Sequence, residues 1–137
     1  MSVKQTWTTS IKNDSGATVV TDPSVIISGP AEGNFSVTVP PLTTVEVDDC
    51  PVTVADIASG FITTDKAVTV KTNSNSTPIQ TFSLQTQGVG NINTVSYNNT
   101  MPVTVTNPFT TNITKWFVTN ASSTLTANVR GGFIFKA

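Results

Sequence analysis

The triplet Val-Thr-Val occurs four times, at residues 37–39, 52–54, 68–70 and 103–105. In an extended backbone each copy sets two valines on one side and a threonine on the other. That is the period-2 pattern of a half-buried strand, written in residue types that suit a pleated surface. Alternating runs of the same style fill most of the chain. Between them stand turn residues such as Asn13-Asp14-Ser15-Gly16, Asp22-Pro23, Gly29-Pro30, Pro40-Pro41 and Asn107-Pro108. About ten to thirteen short strands result, with turns roughly every 8 to 12 residues. The spacing predicts an all-β fold, either an antiparallel β-sandwich (jelly-roll or Ig-like) or a closed barrel, with the sandwich preferred. A single domain over residues 1–137 is expected from the length.

One or two short helical turns are also expected. Asp56-Ile57-Ala58-Ser59-Gly60-Phe61-Ile62-Thr63 aligns without a gap on Asn112-Ile113-Thr114-Lys115-Trp116-Phe117-Val118-Thr119. Asp or Asn leads each copy as a helix N-cap would, and Ile and Phe follow four residues apart, on one face of a turn. A strand-like segment follows each copy, at residues 67–72 and 125–130. The pair reads as an internal repeat that gives a pseudo-symmetric sandwich with two corner turns. Near the C-terminus, Gly131-Gly132 predicts a tight turn or a bulge between two strands.

The polar side of these strands is mostly hydroxyl and amide. Charged residues make up 11% of the chain, against about 25% in an average domain. The net charge is −1. Such a surface has little self-repulsion and permits close association with copies of itself or with a larger assembly. The seven Lys and Arg residues are scattered, so binding to nucleic acid through its phosphates is not expected. No stretch approaches the roughly 20 apolar residues of a membrane span. The N-terminus, Met1-Ser2-Val3-Lys4-Gln5-Thr6-Trp7, lacks the apolar core of a signal peptide, so an intracellular product is expected.

Histidine is absent, which removes the commonest general base and the commonest metal ligand. Cys50 is the only cysteine, so it has neither a disulfide partner nor an imidazole to activate it. With Glu46, Asp48 and Asp49 nearby it reads as a structural thiol. Those three carboxylates form the densest acidic cluster. Oxygen ligands suit calcium, but no calcium-loop spacing surrounds them, and a solvated strand end is the better reading. Gly88-Val89-Gly90 lacks the further glycine and the helix of a phosphate loop. Asn-X-Ser/Thr triplets at Asn34, Asn75, Asn112 and Asn120 are read as chance matches in a Thr-rich chain. Trp116, beside Phe117, is assigned to the core, whereas Trp7 belongs either to the core or to an interface. No catalytic residue, no cofactor site and no metal site is assigned, and the chain is not expected to be an enzyme.

Three stretches resemble small Thr-rich virion proteins of tailed phages: residues 65–73, residues 107–110, and residues 117–122 with the final strand through Arg130. The resemblance covers about half the chain and contains no catalytic motif. It implies a structural role, as a capsid decoration (cement) protein that binds the outer capsid and stabilises it. The implied partner is the major capsid protein, and a homo-oligomer is expected, a trimer in the first instance. The implied location is the capsid surface of a virion assembled in the host cytoplasm. A tail or fibre component is the second structural expectation. A module that binds glycans on a host surface is the expectation from a different class.

Overall fold

The structure, a computed structural model, describes residues 3–7, 10–12, 18–21, 25–29, 31–86, 88, 90–99 and 106–136, with side chains from residue 32 onward. The first strands form two ribbons: β1 (Val3–Trp7) with β4 (Val25–Gly29), and β2 (Ser10–Lys12) with β3 (Thr18–Thr21). The remaining eight are β5 (Ala31–Val39), β6 (Thr43–Val47), β7 (Ile57–Thr64), β8 (Val68–Thr72), β9 (Thr81–Leu84), β10 (Thr94–Asn98), β11 (Trp116–Asn120) and β12 (Ala127–Phe135). Sheet I has the order β10-β7-β12-β5 and sheet II the order β6-β11-β8-β9, every pairing being antiparallel. From β5 to β12 the chain changes sheet at each step except the β8–β9 hairpin. That is the strand order of a jelly roll, a sandwich of two Greek keys. The jelly-roll expectation holds, and the Ig-like and barrel alternatives fall.

Alternation decides which residues fill the space between the sheets. The triplet at 68–70 buries Val68 and Val70 and leaves Thr69 on the outer face of sheet II; Val39, on β5, is fully buried. Val52 makes only a single bridge, to Ile113, before the short 3-10 turn Val54–Asp56. The fourth triplet, the Asn13 and Asp22 turns and Val89 of the Gly88-Val89-Gly90 motif lie outside the described residues. At the centre Trp116 is fully buried, its ring 5.5 Å from Phe35 and 5.7 Å from Phe133. Phe109 extends the group, 5.2 Å from Phe133 and 5.7 Å from Phe82. Phe35 and Phe133 come from sheet I and Trp116 from sheet II, so the rings clamp the two layers together. Each fully buried Val, Ile or Phe contributes about 1.5–3 kcal/mol.

The two predicted corner turns are corrected. Residues 57–64 form strand β7, and the only helical turn among the described residues is the 3-10 turn just before it. Ile57 is a core residue, whereas Phe61 stands on the outer face of sheet I. The register of β7 against β12 skips Ala58, and this extra residue turns Ile57 inward together with Ile62. The strand therefore separates two side chains that a helix would have put on one face. In the second copy Ile113 is buried and Trp116 opens β11.

The repeat itself is present in the topology. In sheet I β7 lies between β10 and β12, and in sheet II β11 lies between β6 and β8. The units β6-β7-β8 and β10-β11-β12 have thus exchanged their middle strands. Local contacts repeat with them. Thr63 and Thr94 share a hydroxyl–hydroxyl bond of 2.7 Å, and Thr119 and Thr44, at the matching positions, share one of 2.8 Å. The Lys66 N–H donates to Thr64 Oγ1 at 3.2 Å, and the Ser122 N–H donates to Asn120 Oδ1 at 3.0 Å.

Candidate functional site

The connections 40–42, 65–67 and 121–126, with residues 85–86 and 90–93, gather at one end of the sandwich. Asn120 organises this end from inside: its Nδ2 donates to Val39 O at 3.0 Å and to Leu125 O at 2.7 Å. Ser122 joins two connections. Its carbonyl accepts from the Leu42 N–H at 3.0 Å, and its Oγ accepts from the Leu125 N–H at 2.9 Å. The side chains of Leu42 and Leu125 are nevertheless 73% and 52% exposed, and Ile92 on the neighbouring connection is 63% exposed. Exposed apolar side chains scattered singly are ordinary on a protein surface; here three stand on the loops of one end, and a fourth, Ile79, 58% exposed, stands on the β8–β9 connection.

Leu42 is the unusual member. Its φ is 54°, the left-handed region that costs a residue with a Cβ on the order of 1–2 kcal/mol. A side chain that is 73% exposed recovers little of that on folding. A strained backbone that presents an apolar group to solvent is a pointer to function. The sequence places Leu42 at the start of a strand after Pro40-Pro41, and no residue-type signal there marks a positive φ.

On the outer face of sheet I, Phe61 lies across Gly132. A Cβ on Gly132 would come within 2.7 Å of the Phe61 ring. Glu32, Asn34, Ser36, Arg130 and Ile134 surround that ring in a shallow depression of about 330 Å³. A second depression of about 400 Å³ continues past Arg130 to Thr63, Asp65 and Asn128. Asp65 holds Asn128 through both carboxylate oxygens, accepting from its backbone N–H at 2.7 Å and from its Nδ2 at 2.9 Å. The backbone bond is the main reason its carboxyl lies below the ordinary range, with the amide bond and Lys66 adding to it. Nearer the opposite end, Ser59, Asn98 and Ile134 turn away from the core and are still buried. The backbones of β1 and β4 lie against β12 there.

The residues singled out in the sequence do not converge on a reaction centre. Cys50 is fully buried, and its Sγ lies 3.3 Å from where a Cβ on Gly33 would stand. Burial first, and the charge of Asp49 second, push its pKa up to about 11, so the thiolate that would react is suppressed. Its carbonyl accepts the indole N–H of Trp116 at 2.8 Å. Trp116 is therefore a core residue with its polar atom satisfied, as expected. Of Trp7 only the backbone, in β1, is described. Glu46 forms an ion pair with Lys115, the only one among the described residues, and both the bond and the charge raise the lysine pKa. Among the described residues no group of three or more His, Cys, Asp or Glu side chains could hold a metal ion. Among the described residues no helix is long and apolar enough to cross a membrane.

Two segments have structural explanations that the sequence leaves open. Asn107 Oδ1 accepts from the Phe109 N–H at 2.9 Å and turns the buried Phe109 inward. Gln80 fastens the same loop, donating to Pro108 O at 2.9 Å and accepting from the Thr110 N–H at 3.0 Å. Phe109 thus plugs the core, while Asn107 and Pro108 stay half-buried. Gly131-Gly132 is neither a turn nor a bulge. Both glycines sit inside the continuous strand β12, because Phe35 packs against one face and Phe61 against the other.

Fold and surface together define an all-β jelly-roll sandwich with an apolar loop end and a neutral, hydroxyl-rich face. No family model matches the chain, and neither a curated protein nor a solved structure does.

Proposed function

We propose that the chain is a non-enzymatic structural protein of a virus particle, a capsid decoration protein that docks on the major capsid protein and stabilises the shell. The observation that carries the reading is Leu42, exposed on a strained backbone beside Leu125. Little of the Leu42 side chain is buried in the domain alone, and an apolar partner surface would bury the rest. Several features support the wider reading. The jelly roll is an architecture of viral capsid domains, although fold by itself does not assign function. A sparsely charged surface tolerates dense packing on a lattice. Residues 65–73, 107–110 and 117–122, with the final strand through Arg130, carry the resemblance to phage virion proteins. Self-association of the chain would let one oligomer hold several capsid subunits, a multivalent gain that needs no strong single site.

Particles assembled with and without the protein test this reading. Decoration predicts surface knobs that disappear in its absence and shells that break at lower temperature or lower ionic strength. Loss of tail or fibre parts with an undecorated shell would instead identify a tail component. Intact particles together with glycan binding by the purified domain would identify the host-surface module.

A further inference from the structure

A sandwich has four edge strands, and each either is blunted against pairing or pairs. Three are short or interrupted here. β6 follows Pro40-Pro41 and carries the Glu46–Lys115 ion pair, β9 has four residues just beyond Pro78, and β10 has five. β5 differs. It is nine residues long, contains no Pro, Lys or Arg, and runs against β12 with no break in register. Among the described residues no strand pairs with its other side.

Asn128 shows which backbone groups are left on that side. Its N–H donates to Asp65 Oδ1, and its carbonyl accepts from the Asp65 N–H at 3.2 Å. Both groups of Asn128 therefore point away from β5. Thr38, directly opposite Asn128, must be a non-hydrogen-bonded position, and such positions alternate along an antiparallel pair. Thr38, Ser36, Asn34 and Glu32 consequently turn their N–H and C=O groups outward, along the free edge. All four side chains are exposed.

We infer that β5 is the pairing edge between two copies of this chain, joined antiparallel about a two-fold axis near Phe35. The register is self-complementary. Asn34 meets the partner's Ser36, Glu32 meets the partner's Thr38, and no like charges are opposed. Arg130 lies one strand in from the edge and has no ion partner among the described residues. The partner's Glu32 would stand on the same face, on the order of 12 Å away between Cβ atoms at ordinary sheet spacings, within the combined reach of the two side chains. Pairing closes at two copies, so this edge makes a dimer the basic unit in place of the trimer expected from the sequence. The inference deepens the self-association part of the proposed function, but its test involves no particle, so either reading can fail alone.

The test is the solution mass of the full chain over a concentration series, by light scattering or sedimentation. A dimer of twice 14.4 kDa is expected, with slow hydrogen exchange at the amides of Asn34, Ser36 and Thr38. Ser36→Pro removes an outward N–H and should give a monomer. The double variant Asn34→Lys with Ser36→Lys opposes lysines across the axis, leaves the β12 ladder intact, and should do the same if the proline variant does not fold. The inference is overturned by a wild-type protein that stays monomeric or forms a trimer. A folded double variant with an undiminished dimer overturns it equally.

Discussion

Gly131 and Gly132 hold aromatic rings against opposite faces of one strand. A Cβ on Gly131 would come within 2.3 Å of Phe35 Cε1, and Phe35 is itself fixed against Trp116. Gly131→Ala should therefore lower stability by about 1–3 kcal/mol, as overpacked cores do, measurable by urea unfolding. Cys50 predicts chemical silence: at pH 8 the native protein should alkylate at least about a thousandfold more slowly than the unfolded chain, since the thiol is reached only through opening. Leu42 predicts a trade-off. Leu42→Gly relieves the left-handed strain and should stabilise the isolated domain by about 1 kcal/mol, while weakening attachment to particles lacking the protein. Equal or better attachment by that variant would remove Leu42 from the contact surface. The glycine pair was visible in the sequence, but its meaning was not. A turn, a bulge and a pair of aromatic neighbours all call for the same two residues, and only the strands beside β12 distinguish them.

At the scale of elements, the exchanged middle strands explain why so polar a sequence holds two sheets in register. Each unit is incomplete until the other supplies its central strand, which couples residues far apart in the chain. Asp65 belongs to this coupling, since it ties the end of β7 to β12 through Asn128. Its lowered pKa stabilises the fold above the unfolded value of about 3.9, and that share is lost as acid protonates the carboxylate. Thermal unfolding followed downward in pH should show the wild type losing stability below about pH 4. Asp65→Asn, uncharged throughout, should show a shallower loss, with a difference from wild type that narrows in acid. The alternation of Val and Thr identified the strands well, because period 2 is a local property of extended backbone. Ile57 and Phe61 misled because a spacing of four suits one face of a helical turn, and the inserted Ala58 that sets them on opposite sides of a strand leaves no mark in residue type.

For the whole molecule, the all-β class followed from strand pattern and turn residues, and the low charge described the surface before any fold was known. The single cysteine and the missing histidine narrowed the chemistry in the same way, since composition survives any rearrangement of the chain. The jelly-roll order, the aromatic clamp through Trp116, the loop end with Leu42 and Leu125, and the edge position of β5 among the described strands were decided by tertiary structure alone. Each depends on which distant strands become neighbours. Local propensity sets what a segment can be, whereas burial and pairing across the sandwich set where it goes and which of its groups remain to meet a partner.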